Sequence, residues 1–180
     1  MADNTIYYIR SAILSHSLKR FVKTCAKHGI KIATAESCTG GMISEWITSV
    51  PGSSNVIEFG LCSYSNRIKH EVLGVSQETL EKFTEYSKDC AIEMAKGALR
   101  ISGADYAVST TGVAGPGGGT DENPVGTVYI CVCNKKSAKA ERYEFEGELF
   151  ELTRQDIRIK ATKTALKMLA EFIKENERGK

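Results

Sequence analysis

Apolar positions along the chain switch between a helical period and a strand period. Over residues 11–29, Ile13, Leu14, Leu18, Phe21, Val22, Cys25 and Ala26 fall on one helical stripe, and Gly29 is placed to end it. Ile30–Ala35 reads as a short strand. The small polar run Ser37–Gly41 breaks it before a helix over Met42–Thr48, which Pro51-Gly52 stops. Val56–Tyr64 predicts a strand, Asn66–Leu73 and Thr79–Phe83 short helical segments, and Lys88–Ile101 a longer helix. In that helix Cys90/Ala91, Met94/Ala95 and Ala98/Leu99 share a face. Asp105–Thr110, Val125–Cys133 and Ala140–Phe145 predict strands, the last two joined by the polar turn Asn134–Ser137. Leu152–Asn176 reads as a long amphipathic helix, with Ile157, Ala161, Ala165, Leu166, Leu169, Phe172 and Ile173 on its dry face.

Strands alternating with helices predict an α/β layered sheet, and the closing hairpin requires at least one antiparallel strand, so the sheet is mixed. The 180 residues suit one domain over 15–176, preceded by an extension over 1–14. A net charge of +2 gives no compositional support for wrapping nucleic acid, so no nucleic-acid partner is expected. Apolar runs of a few residues fall far short of the roughly 20 that span a bilayer, so no membrane partner is expected either. Met1–Leu14 carries Asp3 and Arg10 and has neither an apolar core nor a small-residue cleavage site, which predicts a cytoplasmic protein. Six cysteines are scattered without a C-x-x-C pair, so they are expected to be reduced and buried. Cys131 and Cys133 should share one sheet face. His16, His28 and His70 form no ligand set, so no metal and no cofactor are expected.

Three segments can carry chemistry. Thr34–Gly41, TAESCTGG, sits where a strand yields to a helix, the edge at which open α/β sheets bind ligands. Its hydroxyls and glycines suit an oxyanion or phosphate, and equally a plain helix cap. Ser37 and Cys38 compete as nucleophile. In Tyr64–Lys69, YSNRIK, a lysine beside a serine acts as a general base if its pKa falls. Burial, or a cation such as Arg154 or Arg158, would lower it; an exposed helix lysine is the plain alternative. Ser109–Gly119 follows a strand with a glycine-dense loop. It is not a P-loop, because no Gly-Lys-Ser/Thr follows, nor a dinucleotide fingerprint, because a strand follows rather than a helix.

Together the stretches TAESCTGG (34–41), PGSS (51–54), YSNRIKHEVLGV (64–75), TTGVAGPGGG (110–119) and PVGTVYI (124–130) resemble the C-terminal domain family of the competence/damage-inducible protein CinA. The resemblance runs over about residues 15–173. It implies a three-layer α/β/α fold with a mixed, mostly parallel five-stranded sheet. It also implies hydrolysis of the carboxamide of nicotinamide mononucleotide to nicotinate mononucleotide and ammonia, and a homo-oligomer. The family's catalytic serine, tyrosine and lysine fall on Ser37, Tyr64 and Lys69. Substrate contacts are expected from Glu36, Thr39, Gly40 and Gly41, and from Thr111, Gly115, Gly117 and Arg154, with oxyanion donors among the N–H groups of Cys38–Gly41. One departure stands before the last helix. The family's Gly-Asp-Arg-x-x-Val-Arg is here Leu152-Thr153-Arg154-Gln155-Asp156-Ile157-Arg158, with a glycine only at Gly147. Two alternatives stay open: a non-catalytic nucleotide-binding module of the same fold, or an amidase acting on another small molecule.

Overall fold

The computed structural model describes residues 16–147 and 152–177. Helix α1 covers 16–27; its expected first turn at 11–15 and the extension over 1–14 lie outside the described residues. There follow β1 (Ile32–Glu36), α2 (Met42–Thr48), a 3-10 turn at Ser53–Asn55, β2 (Ile57–Cys62), α3 (Asn66–Glu71), α4 (Gln77–Lys82) and α5 (Lys88–Ser102). The chain continues through β3 (Tyr106–Gly112), β4 (Thr127–Asn134), β5 (Ala138–Glu144) and α6 (Arg154–Glu177). The five strands form one sheet in the order β2-β1-β3-β4-β5. β1 runs parallel to β2 and β3, while β4 is antiparallel to both β3 and β5. Four strands therefore point one way and β4 alone opposes them.

Period-two alternation sorts the strand side chains into two cores. Ile32, Val108, Val128, Ile130 and Val132 face the layer of α1, α2 and α6, meeting Val22, Ile43, Ile47, Ile157 and Leu169. The intervening Ala33, Ala35, Ala107, Cys131 and Cys133 face α5 and meet its Ala91, Ala95 and Ala98. Small residues on both sides bring α5 close to the sheet; larger aliphatics fill the opposite layer. All six cysteines are free, and five are buried. Cys62 corrects the expectation of a uniformly buried set: it is exposed, because β2 is an edge strand with alternating exposure. β3 runs two residues past its expected end at Thr110, so the glycine-rich loop begins at Val113. No helix among the described residues is long and apolar enough to cross a membrane.

The topology makes one edge of this sheet special. The β1–β2 connection passes over the α6 side through α2, and the β2–β3 connection returns over the other side through α3–α5. The chain thus switches faces at β1, and a crevice opens at the carboxyl ends of its strands. Register sets Glu36 beside both Cys62 and Thr110, so the loops after β1, β2 and β3 start level with one another. β4 and α6 begin at the same edge. All three segments singled out in the sequence therefore converge there.

Candidate active site

The floor of the site is a buried polar network around Glu36, which is wholly inaccessible. Its Oε2 accepts from the Ile43 N–H (2.9 Å) and the Thr39 hydroxyl (2.7 Å). Its Oε1 accepts from the Ser44 N–H (2.9 Å) and the Ser44 hydroxyl (2.8 Å). Both carboxylate oxygens thus satisfy otherwise unpaired donors at the start of α2, where a negative charge is also favoured by the helix dipole. Ser44 gives its only hydroxyl proton to Glu36, so Thr34, 2.6 Å away, donates to Ser44. By the same count Thr110 donates to Thr39. Substrate contact from Glu36 and Thr39 is therefore corrected: both are sealed beneath the loop and hold it in shape. Glu36→Gln would turn an amide donor toward these donors. We expect it to cost roughly 1–3 kcal/mol, read as a melting-temperature drop of about 2–4 °C per kcal/mol.

Ser37 follows directly. Its N–H donates to Thr110 (2.9 Å) and its carbonyl accepts from Gly40 (3.1 Å), which turns the chain tightly out of β1. The Gly40 N–H is thereby spent inside the loop, which removes it from the expected oxyanion donors. Gly40 and Gly41 lie outside the cleft lining; Gly40 instead abuts Arg158, whose guanidinium donates to the Thr39 carbonyl (2.9 Å). Across the crevice, Ser65 caps α3 by accepting from the Ile68 N–H (3.3 Å). One turn later Lys69 points inward and is 1% exposed. Its Nζ lies 3.3 Å from Ser37 Oγ and 3.5 Å from the Tyr64 carbonyl. Burial lowers the Lys69 pKa below the usual lysine value. A neighbouring arginine is not the cause: burial alone lowers it, and no arginine is among the charges acting on it. Burial also pushes the Cys38 thiol up to about 12 and leaves it protonated near neutrality, which disfavours it as a nucleophile. His70 turns away and its Nδ1 meets the Val75 carbonyl.

The rim comes from α6 and the glycine-rich loop. Thr153 and Asp156 cap α6 reciprocally: the Thr153 N–H and hydroxyl donate to Asp156 Oδ2 (3.0 and 2.6 Å), and the Asp156 N–H donates to Thr153 Oγ1 (3.2 Å). The Leu152-Thr153 departure thus builds its own helix start. Arg154, in the first turn, donates to the Gly115 carbonyl (2.7 Å) and to the Tyr64 hydroxyl (2.7 Å). Tyr64 itself is 61% exposed and bridges cleft and solvent. The cleft encloses about 110 Å³, and its lining includes Ser37, Tyr64, Lys69, Gly115, Gly117 and Arg154. Gly112 also lines it and packs against β4, where a Cβ would overlap the Thr127 carbonyl oxygen and Val128 Cα. Gly112→Ala must push β3 and β4 apart, so we expect a loss of about 1–3 kcal/mol, checked by urea denaturation. The expected substrate contact from Thr111 is corrected. Its hydroxyl donates instead to the Glu85 carbonyl (2.7 Å), outside the lining. Sequence reasoning missed Glu85 and Tyr86, which line the cleft from the α4–α5 connection. Nothing in their spacing brings that connection into the cleft that holds Ser37.

Fold and site define an α/β protein with a buried serine–lysine pair at the switch point of a mixed sheet. The chain belongs to the CinA C-terminal domain family, whose profile matches residues 15–173. It is 42% identical over 175 residues, 97% of its length, to a CinA-like protein of Syntrophomonas wolfei, of which the match covers 40%. It is similar in structure to the competence/damage inducible protein CihA of Agrobacterium tumefaciens, with a TM-score of 0.81, 38% identity, and 86% of this chain and 92% of that one covered. The competence damage-inducible protein A of Klebsiella pneumoniae superposes with a TM-score of 0.80 at 32% identity, over 87% of this chain and 95% of that one. The chain spans about a third of the length of several curated relatives that it matches.

Proposed function

We propose that this chain hydrolyses the carboxamide of nicotinamide mononucleotide to nicotinate mononucleotide and ammonia. The observation that carries the reading is the 3.3 Å approach of Lys69 Nζ to Ser37 Oγ, with the amine buried and its pKa lowered. A neutral amine takes the Ser37 proton as Oγ attacks the amide carbon. The resulting ammonium returns that proton to the amide nitrogen, the C–N bond breaks, and ammonia leaves an acyl ester on Ser37. Water then attacks the ester with Lys69 again as base, restoring Ser37 and releasing the acid. The Cys38 N–H, next to Ser37 in the chain and on a residue that lines the cleft, is our candidate backbone donor for the developing oxyanion, a contribution of roughly 3 kcal/mol in comparable sites. Arg154 has five N–H donors and uses two on Gly115 and Tyr64, so three remain for a phosphate at the rim. The test is ammonia release from nicotinamide mononucleotide by the purified chain, with the acid identified by chromatography. Wild-type protein that releases neither product from that nucleotide overturns the reading.

A further inference from the structure

Glu85 lines the same cleft as Ser37 and Lys69, yet the proposed reaction does not use it. Several contacts hold it in place. Thr84, just before it, is the one non-glycine residue with positive φ (65°) among the described residues. An L-threonine in that conformation is strained, and such strain persists only where the surroundings impose it. Here they do. The Thr84 hydroxyl accepts from the Tyr86 N–H (3.2 Å), its carbonyl accepts from the Ser87 hydroxyl (3.0 Å), and Ser87 in turn caps α5. The Glu85 carbonyl is pinned by Thr111 (2.7 Å), and Asn66 Nδ2 donates to Glu85 Oε2 (3.3 Å).

We propose that Glu85 is a specificity-determining residue that favours a neutral carboxamide over a carboxylate at the reacting end of the ligand, an inference that rests on the reaction proposed above. An ionised glutamate only accepts hydrogen bonds. An amide NH2 offers it a donor, whereas a product carboxylate offers only acceptors and a second negative charge. The need for such a residue follows from the pair itself. A carboxylate formed beside Lys69 is attracted to that amine whenever it carries a proton, which would trap the product. Glu85 lines the same cleft as that amine, and its negative charge repels the product carboxylate directly.

The test uses Ser37→Ala, in which neither ligand turns over. Binding of nicotinamide mononucleotide and of nicotinate mononucleotide is measured by calorimetry, with and without Glu85→Gln. Both ligands carry the same phosphate, so their ratio isolates the reacting end. Glu85→Gln is expected to shift the acid-to-amide affinity ratio toward the acid by about tenfold, the scale of a like-charge contact discounted for partial exposure. Glu85→Ala, which introduces no new amide, should shift it the same way, with melting temperatures showing that each variant is folded. In otherwise wild-type protein, Glu85→Gln should make the acid a stronger inhibitor of ammonia release. An unchanged ratio in folded variants overturns the role of Glu85 and leaves the reaction standing if wild type still releases ammonia. Wild-type protein that neither binds nor cleaves the amide overturns both.

Discussion

Ser37→Ala is expected to lower ammonia release from nicotinamide mononucleotide by roughly four or more orders of magnitude, since removing a nucleophilic serine from a concerted set costs about as much as removing the whole set. The reason is geometric. Ser37 Oγ faces Lys69 Nζ at 3.3 Å inside the cleft. Its backbone is held by Thr110 and Gly40, so losing the hydroxyl leaves the loop in place. The circular dichroism spectrum should therefore match wild type, and bound substrate should still raise the melting temperature. Activity at the wild-type level would move the nucleophile elsewhere. Cys38 is a poor replacement, because its buried thiol is held almost wholly protonated near neutral pH.

Lys69→Met is expected to do two opposite things. Removing the general base should cut turnover roughly 10²–10⁴-fold. The same change should stabilise the fold. Lys69 is 1% exposed, and burial depresses its pKa in the native state below the 10.5 of the free side chain. Between the depressed value and 10.5, the unfolded chain binds more protons than the folded one. Stability conferred by this site therefore falls as pH drops through that window, and it stays low beneath it. Methionine fills a similar volume without a charge to desolvate. A gain on the order of 1 kcal/mol would raise the melting temperature by about 2–4 °C, more at neutral pH than above about pH 10. The wild-type rate should rise with pH, with a midpoint below 10.5, because only the neutral amine accepts the Ser37 proton. A variant that loses activity without gaining stability at neutral pH would mean that the buried amine is balanced by its surroundings. A mild loss of activity would assign the base elsewhere.

Much of the fold is legible in the sequence because its signals are local. Short runs such as Ile32–Glu36 and Tyr106–Gly112, buried along nearly their whole length, and the stripe on α6 mark strand and helix from neighbouring residues alone. The structure adds the caps: Ser65, Ser76 and Ser87 accept from the first turns of α3, α4 and α5. Strand ends differ from local expectation by one or two residues, at Gly112 and Ala138, because pairing with a neighbour rather than local preference decides where a ladder stops. In the cleft, the short motifs place Ser37, Tyr64, Lys69, Gly115, Gly117 and Arg154 on the segments that line it.

The order of elements, the faces they bury, and the short segments that carry Ser37, Lys69 and Arg154 are thus written locally along the chain. The direction of each polar group is not; it comes from tertiary packing. Glu36, Thr39 and Thr111 carry the residue types of a binding site, yet their oxygens and protons are consumed by α2, Thr110 and the Glu85 carbonyl. Packing also makes burial, not an arginine, the cause of the lowered Lys69 pKa, and it brings Glu85 into the same cleft as Ser37. The physical reason is common to these cases. A hydrogen bond or a desolvation cost depends on what surrounds an atom within a few ångströms, and those neighbours come from loops tens of residues away, brought together only when the sheet closes.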